Sequence, residues 1–449
     1  MGEYDQLFIA RRAVIDMQER PAVVATRDGR VAAVLDPAAL PVSSRETVTL
    51  SDREVLLPGL VDTHVHLNEP GRSVWEGFES GTKAAAAGGV TTLIDMPLNS
   101  LPPTTTRDAL DVKRAAASGK LHVDVGFWGG VVPGSLRHVE ALYRAGVFGF
   151  KCFLADSGVP EFPPLDPAGL EVAAAEMARL GALLIAHAED GQVIAAAPPP
   201  RGRAYSAYLR SRPAEAEERA IANLIDAASR CRTRAHVLHL SHAGSLACIG
   251  RARADGLDLT VETCPHYLHF SAEQVADGAT WLKCAPPIRG ADNRERLWNA
   301  LASGEIDMIV SDHSPCTADL KALDSGDFGV AWGGIASLEL GLAVVWTGAR
   351  ERGHGLATVA RWMASAPADR VGLEHKGRIV PGADADLVVF DPEAEFVVDP
   401  VRLHQRVPLS AYNGERLTGV VRQSWVRGRR AYPFAGPGNG ATLSRRELA

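Results

Sequence analysis

Between residues 59 and 370 short apolar runs alternate with longer Ala-rich stretches of helical character. Eight such runs stand out: GLVDTHVHL, TTLIDMP, HVDVGFWGG, GFKCFLA, ALLIAHAED, AHVLHLSHA, LTVETCPHY and DMIVSDHSP. The stretches between them predict helices, for example over residues 80–87, 170–180, 215–229 and 294–303. Strand-like runs alternating with helical ones indicate βα units and a parallel sheet. Eight units predict an α/β fold whose centre is a (β/α)8 TIM barrel.

The flanks follow a different rhythm. Residues 1–58 carry short β-like runs (LFIARRAVI, AVVATRDGRVAAVL, TVTLSDREVLLPG) punctuated by turn residues, and Asp28-Gly29 is a hairpin signal. Residues 371–449 return to β character in GRIVPGADADLVVFDP and GVVRQSWVRGRRAY. Two β-type segments on either side of a barrel predict one small discontinuous β-sandwich built from both ends of the chain. The tail after Phe434 is Gly/Pro-rich and then charged, and is expected to be loosely ordered.

Composition changes this picture little but excludes some functions. A chain of 449 residues with 46% apolar and 22% charged residues has ordinary globular character, with room for a large barrel and a satellite. A net charge of -7 and a pI near 6.1 argue against a nucleic-acid or polybasic membrane surface. No apolar run has the length of a membrane-spanning helix, and MGEYDQLFIARRAV lacks the basic-then-apolar layout of a secretory signal. The six cysteines are scattered without a Cys-x-x-Cys pair, which fits reduced thiols in the cytoplasm.

Candidate chemistry sits at the ends of the runs, where barrels of this kind place their active sites. His64 and His66 are two residues apart at the end of the first run, so on a strand both imidazoles face one side. Further metal-competent residues follow: Lys151 on the fourth run, His187 on the fifth, His239 on the sixth and Asp312 on the eighth. Taken singly, each has a structural explanation as a salt-bridged lysine, a core imidazole or a helix cap. Six at the same end of five strands point to a metal centre.

Lys151 requires an argument of its own, because an ammonium would be repelled by divalent cations. Reaction of its amine with CO2 gives a carbamate, an anion with two oxygens able to bridge two metals. Two metals so held lower the pKa of water from 15.7 toward about 7 and polarise a carbonyl. A hydroxide shared by both metals would attack, with Asp312 as general base and then acid. His236 is expected to face away from His239, and His242 is a possible neighbour of the metal residues or the substrate. His266 and His313 lie near the mouths of the seventh and eighth strands, where they could touch substrate.

These residues and their surroundings resemble the cyclic amidohydrolases, the group of dihydroorotases, hydantoinases (dihydropyrimidinases) and allantoinases. The resemblance runs from PGLVDTHVHLNEPG to GRIVPGADADLVVF. Within the group the chain is most similar to the allantoinase branch, through EPGRSVWEGFESGTKAAAAGGVTTLIDMPLNSLPPTT, GFKCFL, ETCPHYL, KCAPPIR, SDHSPC and AWGGI. The resemblance implies two divalent metals, Zn first with Co, Mn or Fe as alternatives, bridged by carboxylated Lys151. It implies the ligand set His64, His66, Lys151, His187, His239 and Asp312, and ring opening of (S)-allantoin to allantoate. It also implies a homo-oligomer, commonly a tetramer, with a small cyclic ureide as its partner and neither nucleic acid nor membrane.

One position separates the branches. Dihydroorotases carry Arg two residues after the second His, where it forks onto a substrate carboxylate. Here that position is Asn68, which predicts poor binding of carboxylate-bearing rings and offers an amide to the substrate. Ala285 and His313 are the other expected substrate neighbours. Ala285 replaces the Ser common among relatives, a tolerable loss if backbone groups hold the ring. The SAYNG stretch (residues 410–414) is also looser than the usual pattern. The nearest alternative is a hydantoinase-type enzyme. A non-catalytic scaffold related to dihydropyrimidinase is disfavoured because such relatives lose ligands and this chain keeps all six.

Overall fold

The computed structural model describes residues 4–16, 18–39 and 42–445. Residues 1–3 of the 1–58 segment and 446–449 of the 371–449 segment therefore lie outside the described residues, which start at Tyr4 and stop at Arg445.

The first five strands are β1 (Tyr4–Ile15), β2 (Gln18–Arg27), β3 (Arg30–Leu35), β4 (Ser44–Thr49) and β5 (Val55–Pro58). Asp28 and Gly29 both take positive φ, 51° and 76°, and turn β2 into β3 as the hairpin signal required. The parallel strands follow: β6 (Leu60–Val65), β7 (Val90–Asp95), β8 (Asp124–Phe127), β9 (Gly129–Gly130), β10 (Phe150–Phe153), β11 (Leu184–His187), β12 (Ala235–Val237), β13 (Leu259–Thr263) and β14 (Met308–Ile309). The chain ends with β15 (Leu387–Val397), β16 (Arg416–Val426) and β17 (Arg429–Tyr432).

Strands from both flanks share one sheet in the order β17-β16-β15-β5-β1-β2-β3, with β4 parallel to β1. It folds so that Phe8 of β1 meets Trp425 of β16 edge-on at 5.1 Å. The other strands form two all-parallel sheets, β6-β7-β8 and β9 through β14 in sequence order. These strands are buried almost throughout, as expected where helices cover the sheet, and so they read as apolar runs. The predicted helices appear as Phe78–Ala87, Pro167–Leu180, Ala214–Cys231 and Ala291–Ser303.

The two parallel sheets touch at both edges. On one side Phe148 N–H donates to Phe127 O at 3.0 Å; on the other, His66 N–H donates to His313 O at 2.8 Å beside a Val65–His313 bridge. Passage from the outer sheet into β6 is a tight Pro58-Gly59 turn. A side chain at Gly59 would meet Thr91 Oγ1 at 2.2 Å, so packing against β7 demands glycine.

The tail is not loose where it is described. Val125 N–H donates to Ala441 O at 2.9 Å and Leu443 N–H to Val125 O at 2.7 Å, pinning it along β8. A Cβ at Gly440 would lie 2.0 Å from Val123 O, so here glycine permits close backbone approach rather than disorder. Lys376 ties the regions together: its buried Nζ lies 2.7 Å from Asp124 on β8, 2.7 Å from Asp386 and 2.9 Å from Asp384. Among the described residues no helix is long and apolar enough to cross a membrane.

Candidate metal centre

The expected residues come from elements far apart in the chain. His64 is within β6 and His66 one residue beyond it; their rings are 5.6 Å apart. Lys151 is the second residue of β10, and its Nζ lies 3.4 Å from His64 Nε2. His187 ends β11, and its Nδ1 faces His239 Nε2 at 3.0 Å. Asp312 Oδ1 lies 3.2 Å from His64 Nε2 and 3.9 Å from His66 Nε2. His64 and His239 rings are 5.2 Å apart, which joins the two halves into one cluster.

His239 and Asp312 lie just past β12 and β14 at φ 37° and 45°, left-handed conformations unusual for non-glycine residues. Such strain persists where the surroundings over-determine the backbone, and it concentrates at functional sites. Here it turns both side chains inward after the strand has ended.

Carboxylates grip the backs of the imidazoles. His64 Nδ1 is 2.6 Å from Glu262 Oε1, and Glu262 also accepts the His239 backbone N–H at 3.1 Å. His187 Nε2 is 2.8 Å from Glu189 Oε2, which is bound in turn by Arg212. His66 Nδ1 is 3.3 Å from Asn99 Nδ2. With one ring nitrogen occupied from behind, His64 and His187 each present the other nitrogen to the cluster.

Burial governs the charge states. It lowers His64, His66 and His239 well below the usual imidazole range, with the Lys151 ammonium adding to the effect in each. His187 is lowered too, burial outweighing the pull of Glu189. Burial also brings the Lys151 amine down to about 8, although Asp312 opposes the shift. Asp312 and Glu262 are pushed up by burial. Burial alone would raise Glu189, but Arg212 and His187 hold it down to about 2.

This donor set fits divalent metal ions. Four imidazoles are neutral with lone pairs available, and a nitrogen from each of His64 and His66 lies with an Asp312 oxygen within 4.8 Å of one another. The Lys151 amine is easily neutralised, which is the form that reacts with CO2. All of the cluster but the fully buried His64 floors a cavity of about 630 Å³ whose walls include Lys283, Ala285 and Trp332.

Not every expected substrate neighbour reaches this cavity. Ala285 lines it. Asn68 does not; it is buried at φ 62° with Nδ2 donating to Pro315 O at 3.3 Å. His313 lies beneath the floor, Nε2 3.0 Å from Glu76 and Nδ1 receiving the Ser337 N–H at 3.2 Å. His242 turns away to Glu218 at 3.0 Å, and His266 is fully buried beside Tyr267 with neither ring nitrogen paired. His236 stays out of the cluster yet reaches it indirectly, its Nε2 2.9 Å from the Glu262 Oε2. Glu262, Glu189, Asn99 and Arg212 are absent from the sequence reading. The available signals were the Glu of ETCPHYL, next to last in its strand, and the Glu two residues after His187.

Residues 55–431 match the profile described as the amidohydrolase family. The chain is 52% identical over 430 residues to the allantoinase of Streptomyces avermitilis, covering 96% of each. It is 44% identical over 441 residues to the allantoinase of Saccharomyces cerevisiae, covering 94% of each. Among solved structures, the L-hydantoinase (dihydropyrimidinase) of Arthrobacter aurescens matches with a TM-score of 0.91 at 30% identity, over 98% of this chain and 100% of that one.

Proposed function

The chain belongs to the amidohydrolase family, and on that premise we propose that it is a hydrolase that opens the ring of allantoin to give allantoate. The observation that carries this reading is the convergence of His66, Lys151, His187, His239 and Asp312 on one cavity floor, with His64 buried directly against Lys151 and Asp312. Relatives named allantoinase align with nearly the whole chain around that cluster.

The architecture we propose is a closed (β/α)8 barrel over residues 59–370, with a β-sandwich built from residues 1–58 and from 371–449, the latter segment also supplying the tail along β8. The hydrogen bonds joining the parallel sheets at both edges support closure, with β8 and β9 as two pieces of one barrel strand interrupted at Trp128. Helices following the strands complete the pattern.

His64, His66, His187, His239, Asp312 and carboxylated Lys151 would hold two divalent ions, Zn before Co, Mn or Fe, given imidazole and oxygen donors. Bound there, such ions supply Lewis acidity at the ring carbonyl and acidify water. The chain's own part is to hold and move protons. Lys151, once deprotonated, adds CO2 at Nζ with loss of a proton and becomes an anion. Asp312 takes a proton from the attacking water and gives it to the ring nitrogen as the C–N bond breaks. The products are a freed N–H, which carries the proton that Asp312 returns within the turnover, and a carboxylic acid, which ionises to the carboxylate by releasing its own proton to solvent. Glu262 and Glu189 keep His64 and His187 from turning.

A carboxylate-bearing ring is disfavoured, because the cavity's basic residues outside the metal cluster, Arg212 and Lys283, are already engaged. Arg212 is paired with Glu189, and Lys283 is bound by backbone carbonyls. The test is ring opening of allantoin, hydantoin and dihydroorotate by metal-loaded protein, measured side by side. Preference for allantoin is expected. Preference for hydantoin would reassign the substrate while keeping the chemistry, and no turnover of any ring would overturn the reading.

A further inference from the structure

One wall of the cavity that the metal cluster floors is a loop bound by two lysines. Lys283, from the KCAPPIR block, runs along the cavity and donates from Nζ to Phe328 O and Ala331 O, each at 2.5 Å. Its own carbonyl receives the Gly334 N–H at 2.8 Å. Lys321, buried behind the loop, donates to Trp332 O at 3.1 Å and to Gly334 O. Between these clamps sits Trp332, which lines the cavity and packs against Trp75 with ring centroids 5.3 Å apart.

Among the described residues Lys283 forms no ion pair with a carboxylate; its ammonium is spent on loop carbonyls and on the face of Tyr208, 5.1 Å away. A surface lysine would keep its charge in water. This one is drawn into the wall, where burial pushes its pKa down to about 8. Residues 328–334 have no helix or strand of their own, and Trp332 is followed by Gly333 and Gly334. A segment with that composition has no fixed path unless something outside it supplies one. Backbone hydrogen bonds tie the loop to its surroundings, Phe328 N–H to Gly202 O at 2.9 Å and Trp332 N–H to Leu320 O at 2.7 Å, and the lysines fix the carbonyls on either side of the indole.

From this we infer that Lys283 is a positioning residue for substrate choice: it fixes the Trp332 wall against the exocyclic arm of the ring. The inference rests on the reading of the site as an allantoin-opening centre. The reacting carbonyl must lie over the metal residues on the floor. A group attached to the ring then extends toward the wall, where a polar ureido arm meets Trp332 and the loop backbone. A ring without an arm does not reach that wall and should not sense it.

The test compares Lys283→Met and Lys283→Arg with the parent protein, all metal-loaded. The readouts are KM and kcat for allantoin and the inhibition constant of hydantoin as the armless ring. Lys283→Met should raise the allantoin KM about tenfold with kcat nearly unchanged, the scale of a few misplaced contacts. Hydantoin inhibition and metal content should stay at the parent values, and Lys283→Arg should restore most of the allantoin KM. If Lys283→Met fails to fold, Trp332→Ala reads the same wall and should show the same allantoin-selective rise. An unchanged allantoin KM in the folded variant, or equal weakening of both rings, would overturn the inference. A parent protein that opens no allantoin would instead overturn the functional reading beneath it, and is recognised before any variant is made.

Discussion

His64 Nδ1 lies 2.6 Å from Glu262 Oε1, both side chains fully enclosed, 198 positions apart in the chain. The contact selects which ring nitrogen faces Lys151 and Asp312. Glu262 simultaneously takes the His239 backbone N–H and meets His236, so one carboxyl group orients both halves of the cluster. Glu262→Ala should therefore lower metal affinity about 10- to 100-fold. Metal retained after dialysis against a graded chelator measures this. Unchanged retention would show that packing alone holds the imidazoles.

The Glu189–Arg212 pair predicts a pH-dependent stability. Glu189 falls from the ordinary 4.5 to about 2 in the folded protein. A carboxyl whose folded pKa is depressed stabilises the fold above its unfolded value and loses that contribution as pH falls through the folded one. Glu189→Gln should thus lower Tm clearly at pH 7, on the scale of about 3–5 kcal/mol for a broken buried pair. The gap from the parent should close between about pH 4.5 and 2. A gap independent of pH would contradict the assignment of charge.

Lys376 offers a structural counterpart away from the cavity. It neutralises Asp124, Asp384 and Asp386 where β8 meets the turn before β15. Lys376→Met strands three acidic groups, two of them fully buried, and should cost about 3–5 kcal/mol. Thermal unfolding should show the loss, while the protein that remains folded keeps its metal. Unaltered stability would mean that Arg427, which also binds Asp124, suffices.

Asn68 separates the sequence expectation from the structural one. The sequence pattern aims it at substrate, whereas its buried side chain holds Pro315 O and its backbone is left-handed. Asn68→Ala should leave the allantoin KM unchanged and cost about 1 kcal/mol of stability from the disfavoured φ. Asn68→Gly should recover the backbone part of that loss. A KM that rises severalfold for Asn68→Ala would restore the substrate role.

The sequence revealed more of the side-chain cluster than of its supports. Strands covered on both faces must be apolar, so all eight runs announced themselves, and His64 and His66 followed from strand alternation. His187 and Asp312 were legible because strand ends are where side chains can leave the sheet. The supports were not, because their meaning depends on pairing across the fold. Glu262 reads as an ordinary polar residue in a strand until β13 is laid beside β12 and across from β6. Asn68 and His313 misled because nearness to a ligand in sequence does not fix direction: at φ 62° Asn68 turns into the loop, and His313 points opposite to Asp312. The Gly-rich tail misled for a similar reason, since glycine allows both disorder and the close approach seen at Gly440.

The central claim is that allantoin is opened at the metal cluster containing Lys151. Its most direct test is the rate of allantoin ring opening by the metal-loaded parent and by Lys151→Ala, with bound metal counted in both. The account predicts rapid turnover with two metals per chain in the parent, and loss of both turnover and stable metal binding in the variant, because a methyl group can neither add CO2 nor bridge cations. Undiminished turnover by Lys151→Ala, or an inactive parent holding both metals, would contradict it.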